Sequence, residues 1–287
     1  MKKIKLRSPA KLNLTLEVIK KLPDGFHLIR SIMVKTYGLY DEVEMIFERN
    51  KKGIKIICSD KKIPCDAGNI AWKMADRFFE RTGRSVSVII NIKKKIPAGA
   101  GLGGGSSNGA AVLLALNEYF DKPLSQKQMI EMAASVGKDI PFFLSNDQAA
   151  YVSGAGEKFS GIKDFPKLNY LIIFPLKEIS TAWAYGELDK KIFYMDSPER
   201  KNISKQLIAN IRDGSYELLH NDFEPVALSV CPEISMLKNS LISFGARGVS
   251  ITGKGPTVFG VFSTFKKAKE VQTIIKKEYP SFLTFLG

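Results

Sequence analysis

The chain has 287 residues, 45% hydrophobic and 25% charged, which is the balance of a folded protein long enough for two packed domains. Its longest strictly apolar run, Ala110 to Leu116, falls far short of a membrane span, and Arg7, Lys11 and Asn13 break the apolar stretch that a secretory leader would need after Lys2 and Lys3. Three cysteines (Cys58, Cys65, Cys231) without zinc spacing and two histidines (His27, His220) exclude a disulfide framework and His-rich metal chemistry, so a reducing cytoplasm fits best.

The net charge of +14 suggests polyanionic partners, either nucleic acid or phosphorylated small molecules. The lysines lie in short scattered clusters such as Lys20-Lys21, Lys93 to Lys95 and Lys276-Lys277. No arginine-rich tract or aromatic-interleaved basic strand accompanies them, which favours a solvated surface over a nucleic-acid face.

Residues 11–18 alternate, with Leu12, Leu14, Leu16 and Val18 on one face and Lys11, Asn13, Thr15 and Glu17 on the other, which predicts a half-buried strand with a polar face. A turn at Pro23-Asp24-Gly25 leads into strand-like sequence to about Phe47. Asn69 is placed to cap a helix over 70–82 that Gly83 closes, and Val86, Val88, Ile90 and Ile92 alternate as a second strand. A helix is expected over about 108–120, and another from Ser125, with Gln128 at capping-box spacing, to Gly137. The texture changes near residue 160, where we place a domain boundary. Beyond it lie an apolar strand at Tyr170 to Phe174, several amphipathic helices, a strand–glycine turn–strand unit at 247–263 and a last helix to about Lys277.

The most informative segment is Pro97-Ala98-Gly99-Ala100-Gly101-Leu102-Gly103-Gly104-Gly105-Ser106-Ser107. Five glycines in seven residues let backbone N–H groups converge on an anion, and the following helix adds unpaired donors and the positive end of its dipole. Ser106 and Ser107 have hydroxyls able to cap the helix, bind phosphate or ligate magnesium. A glycine-rich turn built only for close packing is the weaker reading. The Walker A ending is absent. Gly99, Gly101 and Gly104 satisfy a dinucleotide fingerprint, but Asp121-Lys122-Pro123 leads into a helix where that fold needs a strand, so an NAD-type oxidoreductase loses its support.

Phosphoryl transfer to a small alcohol needs a phosphate cradle, a cation and a group for the hydroxyl proton. Lys11 and Asn13 share one strand face, though Lys11 alone reads as an ordinary exposed lysine. Asp139 follows the helix-ending Gly137 and precedes Ile140-Pro141, where the proline is expected to hold Ile140 extended. Alone, Asp139 is more commonly a turn-stabilising residue. Thr252-Gly253-Lys254-Gly255-Pro256-Thr257 forms either one wall of a phosphate site or a simple hairpin.

Three segments in order, Ser8-Pro9-Ala10-Lys11-Leu12-Asn13-Leu14, Pro97 to Ser107, and Gly253-Lys254-Gly255-Pro256, together resemble the GHMP small-molecule kinases. Asp24-Gly25-Phe26-His27, Leu39-Tyr40-Asp41, Gly137 to Phe143, Ser180-Thr181-Ala182 and Asn221 to Glu224 extend the resemblance over nearly the whole chain. They are closest to the branch that serves non-mevalonate isoprenoid precursor synthesis. The resemblance implies a two-domain α+β kinase, residues 1–160 and 161–287, with ATP and substrate in a cleft between the domains. It implies Mg2+ with ATP, a cytidine diphosphate small-molecule substrate, no nucleic-acid or membrane partner, and a monomer or homodimer. Lys11 and Asp139 take the catalytic positions, Pro97 to Ser107 the nucleotide loop, and Ser107 the metal. Asn13, Phe26, His27, Tyr185, Gly253 and Gly255 fall at substrate positions, with His27 against the cytosine and Tyr185 on its other side.

The chain departs from the family's pattern at four places. Phe26 stands for the usual Tyr, Asn108 for a frequent Asp, Gly109 for Ala, and Lys254 for a small residue. Other GHMP kinases, for homoserine or a mevalonate derivative, are the nearest alternative, followed by an oxidoreductase and a basic RNA-binding protein.

Overall fold

The computed structural model describes residues 2–48, 52–191 and 202–287. The elements run β1 (Lys2–Lys21), β2 (His27–Glu48), β3 (Gly53–Cys58), α1 (Ile70–Thr82), β4 (Ser87–Lys93), α2 (Gly104–Tyr119), α3 (Gln126–Val136), α4 (Ile140–Leu144), β5 (Ala149–Ser153), β6 (Lys158–Gly161) and β7 (Asn169–Phe174). Then come α5 (Thr181–Lys191), α6 (Ile203–Arg212), β8 (His220–Asn221), α7 (Glu224–Val230), α8 (Glu233–Ser243), β9 (Gly248–Ile251), β10 (Val258–Phe262), α9 (Phe265–Glu278) and β11 (Leu283–Leu286).

These elements form two compact units that interleave along the chain rather than meeting at one boundary. The first comprises Met1–Ala10, Tyr40–Ala98 and Gly103–Asn146, and the second Lys11–Leu39, Gly99–Leu102 and Asp147–Gly287. Two long strands account for the interleaving, because β1 and β2 each contribute residues to both units.

In the first unit, Glu42 to Glu48 of β2 pair antiparallel with β4, which pairs parallel with β3. Helices α1, α2, α3 and α4 pack on one another beside these strands. Both ends of α1 follow the expected chemistry, with Asn69 Oδ1 accepting from Ala71 N and Gly83 closing the helix at φ 65°. The capping box of Ser125 and Gln128 opens α3 as expected. Helix α2 is buried on almost every side through Ala110 to Leu116, so its apolar residues carry no stripe pattern. It begins at Gly104, four residues before its expected start. Gly103, at φ 72°, ends the glycine bend, and Ser106 and Ser107 lie inside the first turn instead of capping it. The early start is possible because a Cβ at Gly104 would meet Ile96 and Lys94, and one at Gly105 would meet Ile70. The chain passes close to these neighbours, which would have to give way to admit a side chain. At Gly109 a Cβ would lie 2.8 Å from Ile70 Cγ2, so Ile70 fills the space a side chain there would take.

Asp41 on β2 binds this unit together. It is fully buried, and its Oδ1 accepts from Lys95 N at 2.7 Å and Ile96 N at 2.9 Å, while its Oδ2 takes the Lys94 ammonium. The segment leading into the glycine bend thus hangs from one carboxylate.

In the second unit, Ser31 to Val34 of β2 pair antiparallel with β5, which pairs with β6, and Thr15-Leu16 of β1 pair parallel with β8. A separate antiparallel sheet in the order β11-β7-β10-β9 packs against α8 and α9. Its core gathers Leu171, Ile173, Phe223, Ile234, Leu237, Val258 and Val271.

Two local expectations are corrected. The strand expected over 11–18 runs from Lys2 to Lys21, and its polar face is not half wet. Lys11, Asn13, Thr15 and Glu17 are all 3% exposed or less, because polar groups from β2, β8, α6 and the 252–257 turn close over them. Ile140 is not extended: it begins α4, and Pro141 occupies an early helical position, where its missing N–H leaves no gap in the hydrogen bonding.

Asp41→Ala should cost about 3–5 kcal/mol, the usual result of stranding a buried cation. Urea unfolding should show a lower midpoint with little change in slope.

Candidate active site

The second unit brings two glycine bends into contact beneath β1. Lys11 N donates to Leu102 O at 2.9 Å, and Lys11 Nζ donates to Gly101 O at 2.7 Å and to Asn13 Oδ1. Asn13 Oδ1 also accepts from Gly253 N at 2.9 Å, and its Nδ2 donates to Ser31 Oγ at 2.8 Å. Asn13 N donates to Thr252 Oγ1, Asn221 Nδ2 donates to Gly253 O at 2.8 Å, and Thr257 Oγ1 donates to Ala100 O at 2.7 Å. The bends meet backbone to backbone. A Cβ on Gly101 would sit 2.4 Å from Thr252 O, and one on Gly253 2.8 Å from Gly101 O. Both glycines also need positive φ, 76° and 58°.

This arrangement accounts for the residue types. Ala100 and Leu102 point inward and are buried, so they plug the bend into the unit, while Gly99 lies at the surface. Within Ala100 to Leu102, what faces outward is main chain. The Lys11 ammonium, 3% exposed as a residue, is aimed by a carbonyl and a carboxamide. Asn13 is a strut: its side chain is engaged by Lys11, Ser31 and Gly253.

In the first unit, Gly103 and the first turn of α2 complete the loop. Ser107 Oγ is buried and has no hydrogen-bond partner among the described residues. Asn108 accepts the Ser8 hydroxyl at 2.7 Å, which ties the Ser8-Pro9-Ala10 start of the first motif to α2. Asp139 stands at the start of α4 with φ −81° and ψ −15°, and its side chain makes no cap. No hydrogen bond or ion pair engages its carboxylate among the described residues, so it is not a turn-stabilising group.

His27, at the start of β2, is buried. Its ring stacks on Tyr185 of α5 with centroids 4.4 Å apart, and its Nε2–H donates to Asp189 Oδ1 at 2.7 Å. Lys21 Nζ donates to the other oxygen of Asp189, also at 2.7 Å. Tyr185 and Asp189 are four residues apart, so one face of α5 supplies both contacts. A base sandwiched between two rings needs roughly twice the single stacking separation. As placed, the His27 and Tyr185 rings touch each other and leave no slot between them. Phe26, beside them in sequence, is 49% exposed.

Lys254 sits between Gly253 and Gly255 and donates to Thr181 Oγ1 at 2.7 Å. Burial lowers its proton affinity, and the Glu178 carboxylate partly restores it. Glu178 also packs its stem against Gly99.

Among the described residues no cluster of three His, Cys, Asp or Glu side chains could hold a metal ion. That is compatible with magnesium, which is commonly held by phosphate oxygens and one or two protein oxygens rather than by an all-protein cage. The unpartnered Ser107 hydroxyl suits that role. Sequence reasoning missed the part played by Thr252, Asn221, Ser31 and Asp189. The first two lie in segments it singled out, whereas Asp189 shows itself only once α5 is known to be a helix facing His27.

The model of the GHMP kinases N terminal domain matches residues 69–154, and that of the GHMP kinases C terminal region matches residues 200–281. The chain is 37% identical over 277 residues to a 4-diphosphocytidyl-2-C-methyl-D-erythritol kinase of Citrifermentans bemidjiense, covering 96% of each chain. It superposes on the crystal structure of a 4-(cytidine 5'-diphospho)-2C-methyl-D-erythritol kinase with a TM-score of 0.80 at 26% identity, covering 99% of both chains. A homoserine kinase from Cytophaga hutchinsonii gives a TM-score of 0.78 at 22% identity, covering 100% of this chain and 94% of that one, a likeness of fold alone. The chain belongs to the GHMP kinases, and is thus an ATP-dependent kinase acting on a small molecule.

Gly101→Ala should destabilise more than Gly25→Ala. Both sites have positive φ, worth about 1–3 kcal/mol of strain, but a Cβ at Gly25 meets nothing within 4 Å, whereas one at Gly101 meets backbone. Parallel urea titrations of the two variants measure the difference.

Proposed function

We propose that the chain transfers the γ-phosphoryl group of ATP to the 2-hydroxyl of 4-diphosphocytidyl-2-C-methyl-D-erythritol, yielding the 2-phosphate and ADP in non-mevalonate isoprenoid precursor synthesis. The observation that carries this reading is the 37% identity, over 96% of the chain, to a kinase of that name. The fold alone does not choose among substrates, since a homoserine kinase shares it.

In this reading the main-chain amides of Gly99 to Gly105 and the first turn of α2 hold the triphosphate. Asp139 accepts or orients the proton of the 2-hydroxyl as its oxygen bonds to the γ-phosphorus and the bond to the β-phosphate oxygen breaks. A carboxylate with no internal partner suits that task. Lys11 offsets charge on the transferring group, and its carbonyl and carboxamide partners hold the ammonium in one orientation. Ser107, whose buried hydroxyl has no partner among the described residues, would help hold magnesium, which would supply charge neutralisation on the phosphates. His27, Phe26 and Tyr185 receive the cytidine. The contact between His27 and Tyr185 favours a base stacked outside that pair over one inserted between its rings. Asn13, Gly253 and Gly255 shape the wall behind the substrate.

Two coarser points belong to the same proposal. The sequence division near residue 160 separates the N- and C-terminal family regions, which fall on either side of it. A reducing, cytoplasmic location is supported by Cys58, Cys65 and Cys231, all free thiols, and no helix among the described residues is long and apolar enough to cross a membrane.

An ADP-release assay against the cytidine substrate, homoserine and mevalonate should show turnover with the first; turnover with either of the others instead would reassign the enzyme. Asp139→Asn should lower kcat by roughly 10²–10⁴-fold while ATP binding stays near normal. Near-normal turnover would remove Asp139 from the chemistry. Replacing His27 with Ala should raise KM for the cytidine substrate more than KM for ATP, and an equal effect on both would contradict its role.

A further inference from the structure

Lys254 sits between two glycines in the turn that packs on the Gly99–Leu102 bend. Its ammonium is half-buried, and burial penalises its charge. Among the described residues its one hydrogen-bond partner is the neutral Thr181 hydroxyl, and it forms no ion pair. Glu178 acts on it only from beyond pairing distance. A lysine kept for solubility sends its ammonium to water, and one kept for stability pairs it with a carboxylate. Lys254 has no carboxylate partner among the described residues, and the hydroxyl it bonds is itself exposed, so the ammonium stays open to an incoming anion. Its Cα is also fixed in place, because Gly253 on one side is held by Asn13 and Asn221 and packs on Gly101, and Gly255 on the other packs on Ala227 and Ile251. A rigid turn therefore aims an under-compensated cation from the wall that touches the nucleotide bend. Partial desolvation of an uncompensated charge is characteristic of binding sites, where an incoming ligand supplies the missing counter-charge.

We propose that Lys254 is the cation of an anion subsite on the 252–257 turn, leaving Thr181 to grip a phosphate oxygen of a bound substrate. The proposal rests on the kinase reading above for which phosphate it meets. A phosphate oxygen is presented both by the cytidine substrate's diphosphate and by ATP, and the two are separable kinetically.

The test compares wild type, Lys254→Ala, Lys254→Arg and Thr181→Val. Calorimetric binding of inorganic pyrophosphate at fixed ionic strength needs no turnover. Steady-state assays give KM for ATP and for the cytidine substrate separately. Lys254→Ala should weaken pyrophosphate binding and raise one KM by roughly tenfold to a hundredfold, the worth of a charge-assisted hydrogen bond, with a smaller change in kcat. Lys254→Arg should restore most of the loss, and Thr181→Val, which keeps the ammonium, should retain pyrophosphate binding. A raised KM for the cytidine substrate assigns the diphosphate, and a raised KM for ATP the triphosphate. The subsite is overturned if Lys254→Ala binds pyrophosphate like wild type with both KM values within about twofold. It is equally overturned if Thr181→Val reproduces the whole loss, since the lysine would then act only by tethering α5. Were the wild type inactive on the cytidine substrate while pyrophosphate binding still depended on Lys254, the substrate assignment would fall and the subsite would stand.

Discussion

The candidate site depends first on the backbone contact between the bend at Gly99–Leu102 and the turn at Thr252–Gly253. Carbonyl oxygens occupy the positions that a Cβ on Gly101 or Gly253 would take, so these two glycines are required by the space available as well as by their positive φ. Residues more than a hundred positions apart are thereby locked together, and a bend that would be mobile on its own presents its amides in one arrangement. Preorganised donors of this kind stabilise developing charge without reorganising during the reaction.

That contact also explains the buried polar face of β1. A lysine, an asparagine, a threonine and a glutamate all under 4% exposed would be costly without partners. Here each has at least one. Lys11 bonds the bend, Asn13 bonds the turn, Thr15 bonds Ser204 and Ile32 N, and Glu17 bonds Ser204. The strand is a polar spine whose hydrogen bonds define one geometry, although Glu17 Oε1 is buried without a partner among the described residues. At Lys11 and Asn13, the residues nearest the bend, the bonds that hold the fold also aim the ammonium.

The second theme is the shared use of α5. Its first residue, Thr181, bonds Lys254, and one and two turns further on Tyr185 and Asp189 hold His27. A single helix thus touches both the glycine turn and the histidine to which we assign the cytidine. Any displacement of α5 would be felt at both places, so the two should be coupled in their energetics.

Much of this protein was legible in its residues. Alternation marked β1 and β4, caps marked α1 and α3, and the glycine density of residues 99–105 marked a tight bend, because these depend on short-range chain geometry and backbone sterics. The motifs at Ser8 to Leu14, Pro97 to Ser107 and Gly253 to Pro256 carried the family. What remained hidden depends on neighbours distant in sequence. Nothing local says that the Lys11 face of β1 is covered, since Ser31, Asn221, Thr252 and Ser204 arrive from elsewhere in the chain. Nothing local starts α2 at Gly104, since Ile70, Lys94 and Ile96 must first crowd the space a side chain would take there. Asp189 resembles any surface carboxylate until α5 brings it to His27. Sequence by itself determined most of the elements, the glycine bend and the family, whereas tertiary structure decided which polar groups are buried, what they bond and which cation has only a neutral hydrogen-bond partner among the described residues. Burial and pairing are properties of the space between segments, and that space exists only once the chain has folded.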